Sequence, residues 1–351
     1  MNIKKMEIES KIQEYSGNIS KNKQDSDSYI LLGSALALAG RLKEAESVYK
    51  KLLNIFPNNV QGQINLGSIL YLLKYKEEAL RYYHKALKTE PDNYSARLNL
   101  ANILAEEKIF LEAIENYGKC IISNPERSSA YNGLGLVYQD MEELDKAIDY
   151  YKKAVELEEN NHAYSVNLAS AYMQNSEFSD AVEYYNKAYE LDNSDYKSLV
   201  CLANALSELQ KHEDSFEYYI KAQQICPEYS RSYLCHGISL SEYGNTEQAQ
   251  EKFRKAVELE PDEPKINLIL ANALAEHGLH EEATVYYNKA LELDRENASV
   301  YISLGNMFSV MGKMDEAIKY FREASRLEPE NEEILNIYAD AIDEYTSNKE
   351  V

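Results

Sequence analysis

A chain of 351 residues with 59 Asp and Glu against 37 Lys and Arg carries a formal charge of −22. That balance argues against nucleic acid or an anionic membrane surface as a partner, since both call for a basic face. The sequence has neither an apolar N-terminal leader nor a run of about 18 apolar residues, so the expectation is a soluble, cytoplasmic protein with no membrane insertion.

Residues 1–25 place Ile8, Ile12, Tyr15 and Ile19 at spacings of 4, 3 and 4, the stripe of an amphipathic helix. This segment is read as an N-terminal capping helix, with a partner-binding helix as the alternative. From residue 26 the chain repeats every 34 residues without insertion or deletion: 26–59, 60–93, 94–127, 128–161, 162–195, 196–229, 230–263, 264–297 and 298–331. Position 24 of each unit is aromatic throughout: Tyr49, Tyr83, Tyr117, Tyr151, Tyr185, Tyr219, Phe253, Tyr287 and Phe321. Position 20 is Ala in eight units and Ser215 in the ninth. Six of the seven prolines (Pro57, Pro91, Pro125, Pro227, Pro261, Pro329) close a unit, where a ring that cannot continue a helix belongs. Glu159, Asn193 and Arg295 replace that proline, which marks 155–195 as the expected softer stretch.

Within each unit the apolar spacing describes two helices. In the last, Tyr301, Leu304, Gly305 and Phe308 share one helical face; Gly312 breaks the pattern; Ala317, Phe321 and Ala324 share a second face. The break falls on Gly40, Gly244, Gly278 and Gly312, but on Lys74, Lys108, Glu142, Ser176 and Gln210 elsewhere. After residue 331 a C-terminal capping helix carries Leu335, Tyr338, Ala339 and Ile342 in first-helix phase, and 332–351 ends in a short polar tail.

Position by position, these units resemble the tetratricopeptide repeat, with tyrosine in the family's tryptophan position. The resemblance covers residues 26–331. It implies an all-α fold, a right-handed superhelical α-solenoid whose concave face is lined by the first helix of each repeat and takes extended or helical peptides. The units are similar to those of the O-GlcNAc transferase array, but no catalytic domain follows.

Asparagine stands at position 6 as Asn65, Asn99 and Asn167, and at position 9 as Asn102, Asn204, Asn272 and Asn306. Asparagine disfavours helix interiors because its amide competes with the backbone. An in-phase row of them offers a donor and an acceptor for each peptide unit of an extended ligand. The row has gaps at Leu31, Gly133, Cys201, Cys235, Ile269 and Ser303. Position 13 adds Glu106, Asp140, Glu208, Glu242 and Glu276, while Lys197, Arg231 and Lys265 run along position 2. If these carboxylates face the groove, the ligand carries basic groups.

No catalytic, cofactor-binding or metal-binding set is apparent. His277 and His280 straddle Gly278, and the expectation is two solvated turn histidines. Cys120, Cys201, Cys226 and Cys235 lack CxxC spacing and a disulfide framework, and stacked repeats hold Cys201 and Cys235 too far apart to bridge. A carboxylate clamp for chaperone C-terminal tails, as the resemblance would have it, needs Lys at position 5, where this chain has none. The functional expectation is a non-catalytic protein-interaction scaffold or adaptor. Alternatives are a regulatory or targeting subunit of a larger assembly, including a substrate-recruiting adaptor for a separate glycosyltransferase, and a sensor of a signalling peptide.

Overall fold

The computed structural model describes residues 3–347, which form twenty α-helices and no strand among the described residues. They fall into two compact units, one ending at Ser176 and one beginning at Glu177. The division lies inside the stretch 155–195.

The first unit opens with α1 (Ile3–Lys21) and continues as pairs: α2 (Ser26–Leu38) with α3 (Leu42–Ile55), α4 (Val60–Leu72) with α5 (Lys76–Thr89), α6 (Tyr94–Glu106) with α7 (Phe110–Ser123), α8 (Ser128–Asp140) with α9 (Leu144–Leu157), and then α10 (His162–Gln174). Ile12 of α1 is buried, and Ile8, Tyr15 and Ile19 pack against the same core. The second unit begins with α11 (Phe178–Leu191). It pairs α12 (Tyr196–Glu208) with α13 (His212–Ile225), α14 (Ser230–Glu242) with α15 (Thr246–Leu259), α16 (Pro264–Glu276) with α17 (His280–Leu293), and α18 (Ala298–Val310) with α19 (Met314–Leu327), before α20 (Glu332–Ser347).

Local chemistry sets these boundaries. Asn59, Asn93 and Asn161 cap first helices, their side chains accepting from backbone N–H groups three residues on. Each first helix ends by turning one residue left-handed. Gly40 N–H then donates to Ala37 O at 2.9 Å and Arg41 N–H to Leu36 O at 2.9 Å, which satisfies the last carbonyls. The left-handed residue has φ of +75° at Gly278, but φ is also positive at Lys74, Lys108, Glu142, Ser176 and Gln210. Those five side chains therefore sit in strained backbone rather than in a different kind of turn.

Packing follows the 34-residue register. The rings at position 24 are buried against small residues on the first helix: a Cβ on Gly33 would stand 2.4 Å from the Tyr49 ring, and one on Gly305 2.4 Å from Phe321. In these repeats the aromatic opposite thus favours glycine at position 8, while other repeats hold alanine there, as at Ala101 and Ala271.

Helix α20 differs from the expected face. Ile334 and Ala341 are buried, with Ile337 and Tyr338 packed beside them, whereas Leu335 and Ile342 are 40% and 36% exposed. The helix buries the side it turns to α19; its other apolar side would need a second helix, and none follows among the described residues. The expected polar tail beyond Ser347 lies outside the described residues.

Candidate functional site

Within each first helix, positions 2, 6, 9 and 13 fall on one face, and every expected site residue stands at one of these positions. Position 9 has an internal task. Tyr117 Oη donates to Asn102 Oδ1 at 2.7 Å, Tyr219 to Asn204 at 2.6 Å and Tyr287 to Asn272 at 2.8 Å. Burial pushes all three phenols well above the usual tyrosine range, so each stays a hydroxyl and needs a partner. Ser34 and Ser68 serve Tyr49 and Tyr83 at 3.0 and 3.1 Å. Leu136 cannot serve Tyr151, which donates to Gln139 instead (2.7 Å), and Ile238 faces Phe253, which has no hydroxyl.

Asn306 is the exception. Phe321 stands behind it, and among the described residues its exposed amide has no hydrogen-bond partner.

Where position 6 is asparagine, it ties the repeat to the one before. Asn65 Nδ2 donates to Tyr49 Oη (3.1 Å), Asn99 Nδ2 to Ser68 Oγ (3.3 Å) and Asn167 Nδ2 to Asn132 Oδ1 (2.9 Å). These amides are half-buried. The asparagines at positions 6 and 9 therefore complete the polar edge of the core. A position-9 side chain bonded through Oδ1 keeps its Nδ2 without a hydrogen-bond partner among the described residues, as at Asn102 and Asn272.

The acidic residues Glu106, Asp140, Glu208, Glu242 and Glu276 are all exposed on the first-helix face. Glu106 is engaged: it accepts from Tyr71 Oη at 2.7 Å and lies 3.1 Å from Lys76 Nζ, and these two hold its carboxyl below the usual range. Of the position-2 cations, Arg231 sits beside Cys235, whose thiol burial pushes up and Arg231 draws partly back.

Two cavities open on this face, one in each unit, lined by equivalent positions. In the first, of 430 Å³, Asn102, Glu106 and Asp140 come together with Ala105, Tyr117, Leu98 and Leu136. In the second, of 380 Å³, Asn272, Glu276 and Asn306 come together with Ala275, Tyr287, Ser303, Met307 and Val310. Asn65, Asn99, Asn167, Asn204, Glu208 and Glu242 line neither.

His280 is not the solvated turn residue expected: it opens α17, borders the second cavity, and buries Nδ1 with no hydrogen-bond partner among the described residues. Its counterpart one repeat pair earlier, His212, bonds Ser239 Oγ through Nδ1 at 3.1 Å; Met307 occupies the equivalent of Ser239. His277, by contrast, is exposed.

Sequence reading also passed over His236, which occupies position 7, leucine in the other eight repeats. It is buried, stacked on Tyr219 with centroids 5.2 Å apart, and its Nδ1 accepts from Gln223 Nε2 at 3.3 Å. Burial, with Lys252 adding repulsion, pushes its pKa down to about 4. The one-position break in an otherwise invariant leucine row was the available signal.

All four cysteines are free. Among the described residues no three His, Cys, Asp or Glu side chains could hold a metal ion, and no helix is long and apolar enough to cross a membrane.

Family models described as tetratricopeptide repeat match residues 26–59, 60–93, 128–161, 163–195, 236–298 and 298–331, together well over half of the chain. No curated protein sequence matches. Among solved structures, the chain is similar to Pseudomonas aeruginosa pilF at 25% identity, with a TM-score of 0.50 over 61% of this chain and 97% of that one. It is also similar to YrrB, described as a TPR protein with an unusual peptide-binding site, at 22% identity and a TM-score of 0.47, covering 51% of this chain and 93% of that one. MamA gives 24% identity and a TM-score of 0.43, covering 47% and 97%.

Proposed function

This chain belongs to the tetratricopeptide repeat family, whose members are generally protein-interaction scaffolds, and from that premise we propose that it is a non-catalytic scaffold binding a partner's peptide segment along its first helices. The observation that carries this reading is the pair of cavities built from the same repeat positions, one in each unit. The recurring amides already serve the core, so support for the reading comes from the groups at these cavities that the core does not use: Asp140, Glu276 and the amide of Asn306 make no hydrogen bond or ion pair among the described residues. The Nδ2 donors of Asn102 and Asn272, which line the two cavities, suit peptide carbonyls, which every extended segment presents at regular intervals whatever its side chains. Four free thiols suit a reducing compartment, in keeping with a cytoplasmic protein.

The test is a peptide-display screen on the intact protein, repeated with Asn102→Ser and Asn272→Ser. Serine already partners the tyrosine in the first two repeats, so these changes keep the core satisfied and delete only the Nδ2 donor. Peptides whose binding weakens at least tenfold in the double variant, at unchanged thermal stability, support the reading. A failure to recover peptides, or binding indifferent to both substitutions, overturns it.

A further inference from the structure

The asparagine without an internal task points to what the second cavity takes. Asn306 sits mid-helix in α18, a place where asparagine is disfavoured. The aromatic behind it is Phe321, so no phenol engages its Oδ1. Asn272, on the other helix lining the cavity, has its Oδ1 engaged by Tyr287, which leaves Nδ2 without a hydrogen-bond partner among the described residues. Glu276 on the same wall makes no ion pair among the described residues, unlike Glu106 in the equivalent place. The far wall is Met307 and Val310, which offer apolar surface. The first cavity differs: its carboxylate at the equivalent of Glu276 is occupied by Lys76 and Tyr71, and Leu136 replaces the second amide.

We propose that the cavity between α16 and α18 holds the side chain of a basic residue, arginine or lysine, of the bound peptide; this rests on the groove reading above. Glu276 takes the positive charge and Asn306 Oδ1 accepts one of its N–H groups. Asn272 Nδ2 donates to the backbone carbonyl of the same residue, and Met307 and Val310 cover the aliphatic stem. The volume of 380 Å³ lies near the lower end of ligand sites, about 300–1,000 Å³, and so suits one side chain rather than a whole ligand.

The experiment uses the full-length protein and two probes. The first is a set of fluorescein-labelled nonapeptides of alanine and serine with one central arginine, lysine, citrulline, norleucine or glutamate. The second is acetyl-arginine methylamide, followed through the side-chain amide NMR signals of Asn272 and Asn306. The arginine and lysine peptides are expected to bind at least tenfold more tightly than the others. Glu276→Gln is expected to remove that advantage, Phe321→Tyr to weaken it severalfold by giving Asn306 a phenol, and Glu77→Gln, at an exposed carboxylate on the second helix α5 that lines neither cavity, to leave it unchanged. Thermal unfolding of each variant confirms its fold. Citrulline or norleucine peptides that bind as well as arginine, or arginine binding indifferent to Glu276→Gln, overturn the cation pocket while leaving the groove reading standing. Saturable shifts of both amides with acetyl-arginine methylamide, but no binding of any peptide, keep the pocket and overturn the groove reading. Neither peptide binding nor amide shifts overturns both.

Discussion

Tyr219 Oη donates to Asn204 Oδ1 at 2.6 Å, fifteen residues earlier and on the facing helix of the same repeat. The ring is buried and only the hydroxyl approaches the surface, so the amide closes the last polar gap in an otherwise apolar core. The same pair recurs as Tyr117–Asn102 and Tyr287–Asn272. It explains why a poor helix former is tolerated mid-helix in these three repeats.

Tyr219→Phe should therefore cost about 0.5–1.5 kcal/mol, since Asn204 is half-buried and water partly replaces the lost donor. The converse, Phe321→Tyr, should gain a comparable increment by giving Asn306 a partner. Urea unfolding of both variants checks the opposite signs.

Tyr151 is wholly buried, and Tyr151→Ala should cost on the order of 3–5 kcal/mol. Each helix pair packs on its neighbours alone, so amide exchange should accelerate mainly in α6 to α10. Equal acceleration back to α2 would contradict nearest-neighbour stabilisation.

Two glycine-to-alanine changes should move in opposite directions. Gly278 has φ +75°, where a side chain is strained, and Gly278→Ala should destabilise by about 1 kcal/mol. Gly118 lies inside α7 with open space around its Cα, so Gly118→Ala should stabilise by roughly 0.5–1 kcal/mol. Thermal midpoints of the two variants give the comparison.

His236 sets an acid limit on the second unit. Neutral in the fold down to about pH 4, it titrates near 6.5 once unfolded, so the unfolded chain binds the extra proton between those values. Stability from this group is complete above about pH 6.5 and is lost progressively as pH falls to about 4, by at most about 3 kcal/mol. His236→Leu should flatten that part of the stability–pH curve and raise stability at pH 5. A curve of unchanged slope would show that another group governs the acid transition.

Amide exchange should be faster across 155–195 than in the flanking repeats, because two successive repeats there end in Glu159 and Asn193 rather than proline. Uniform protection along the chain would refute this.

The helices, their pairing and the identity of the core were legible in the amino-acid order. Tyr151, Ala147 and Pro125 recur in register, and in a repeat array each contact is local, so periodicity carries nearly all the information the fold needs. The asparagine rows and acidic positions were legible as a common face for the same reason. Their duties were not: which oxygen of Asn102 is occupied depends on where the Tyr117 hydroxyl arrives, a distance across two helices that spacing along one does not contain. Only the packed structure separates Asn306, with a phenylalanine behind it, from Asn272, with a tyrosine, and Glu276 from the ion-paired Glu106. It likewise turned α20 about its axis relative to the expected face, because a helix buries whichever side has a neighbour, and the sequence pattern alone does not say which neighbours are present.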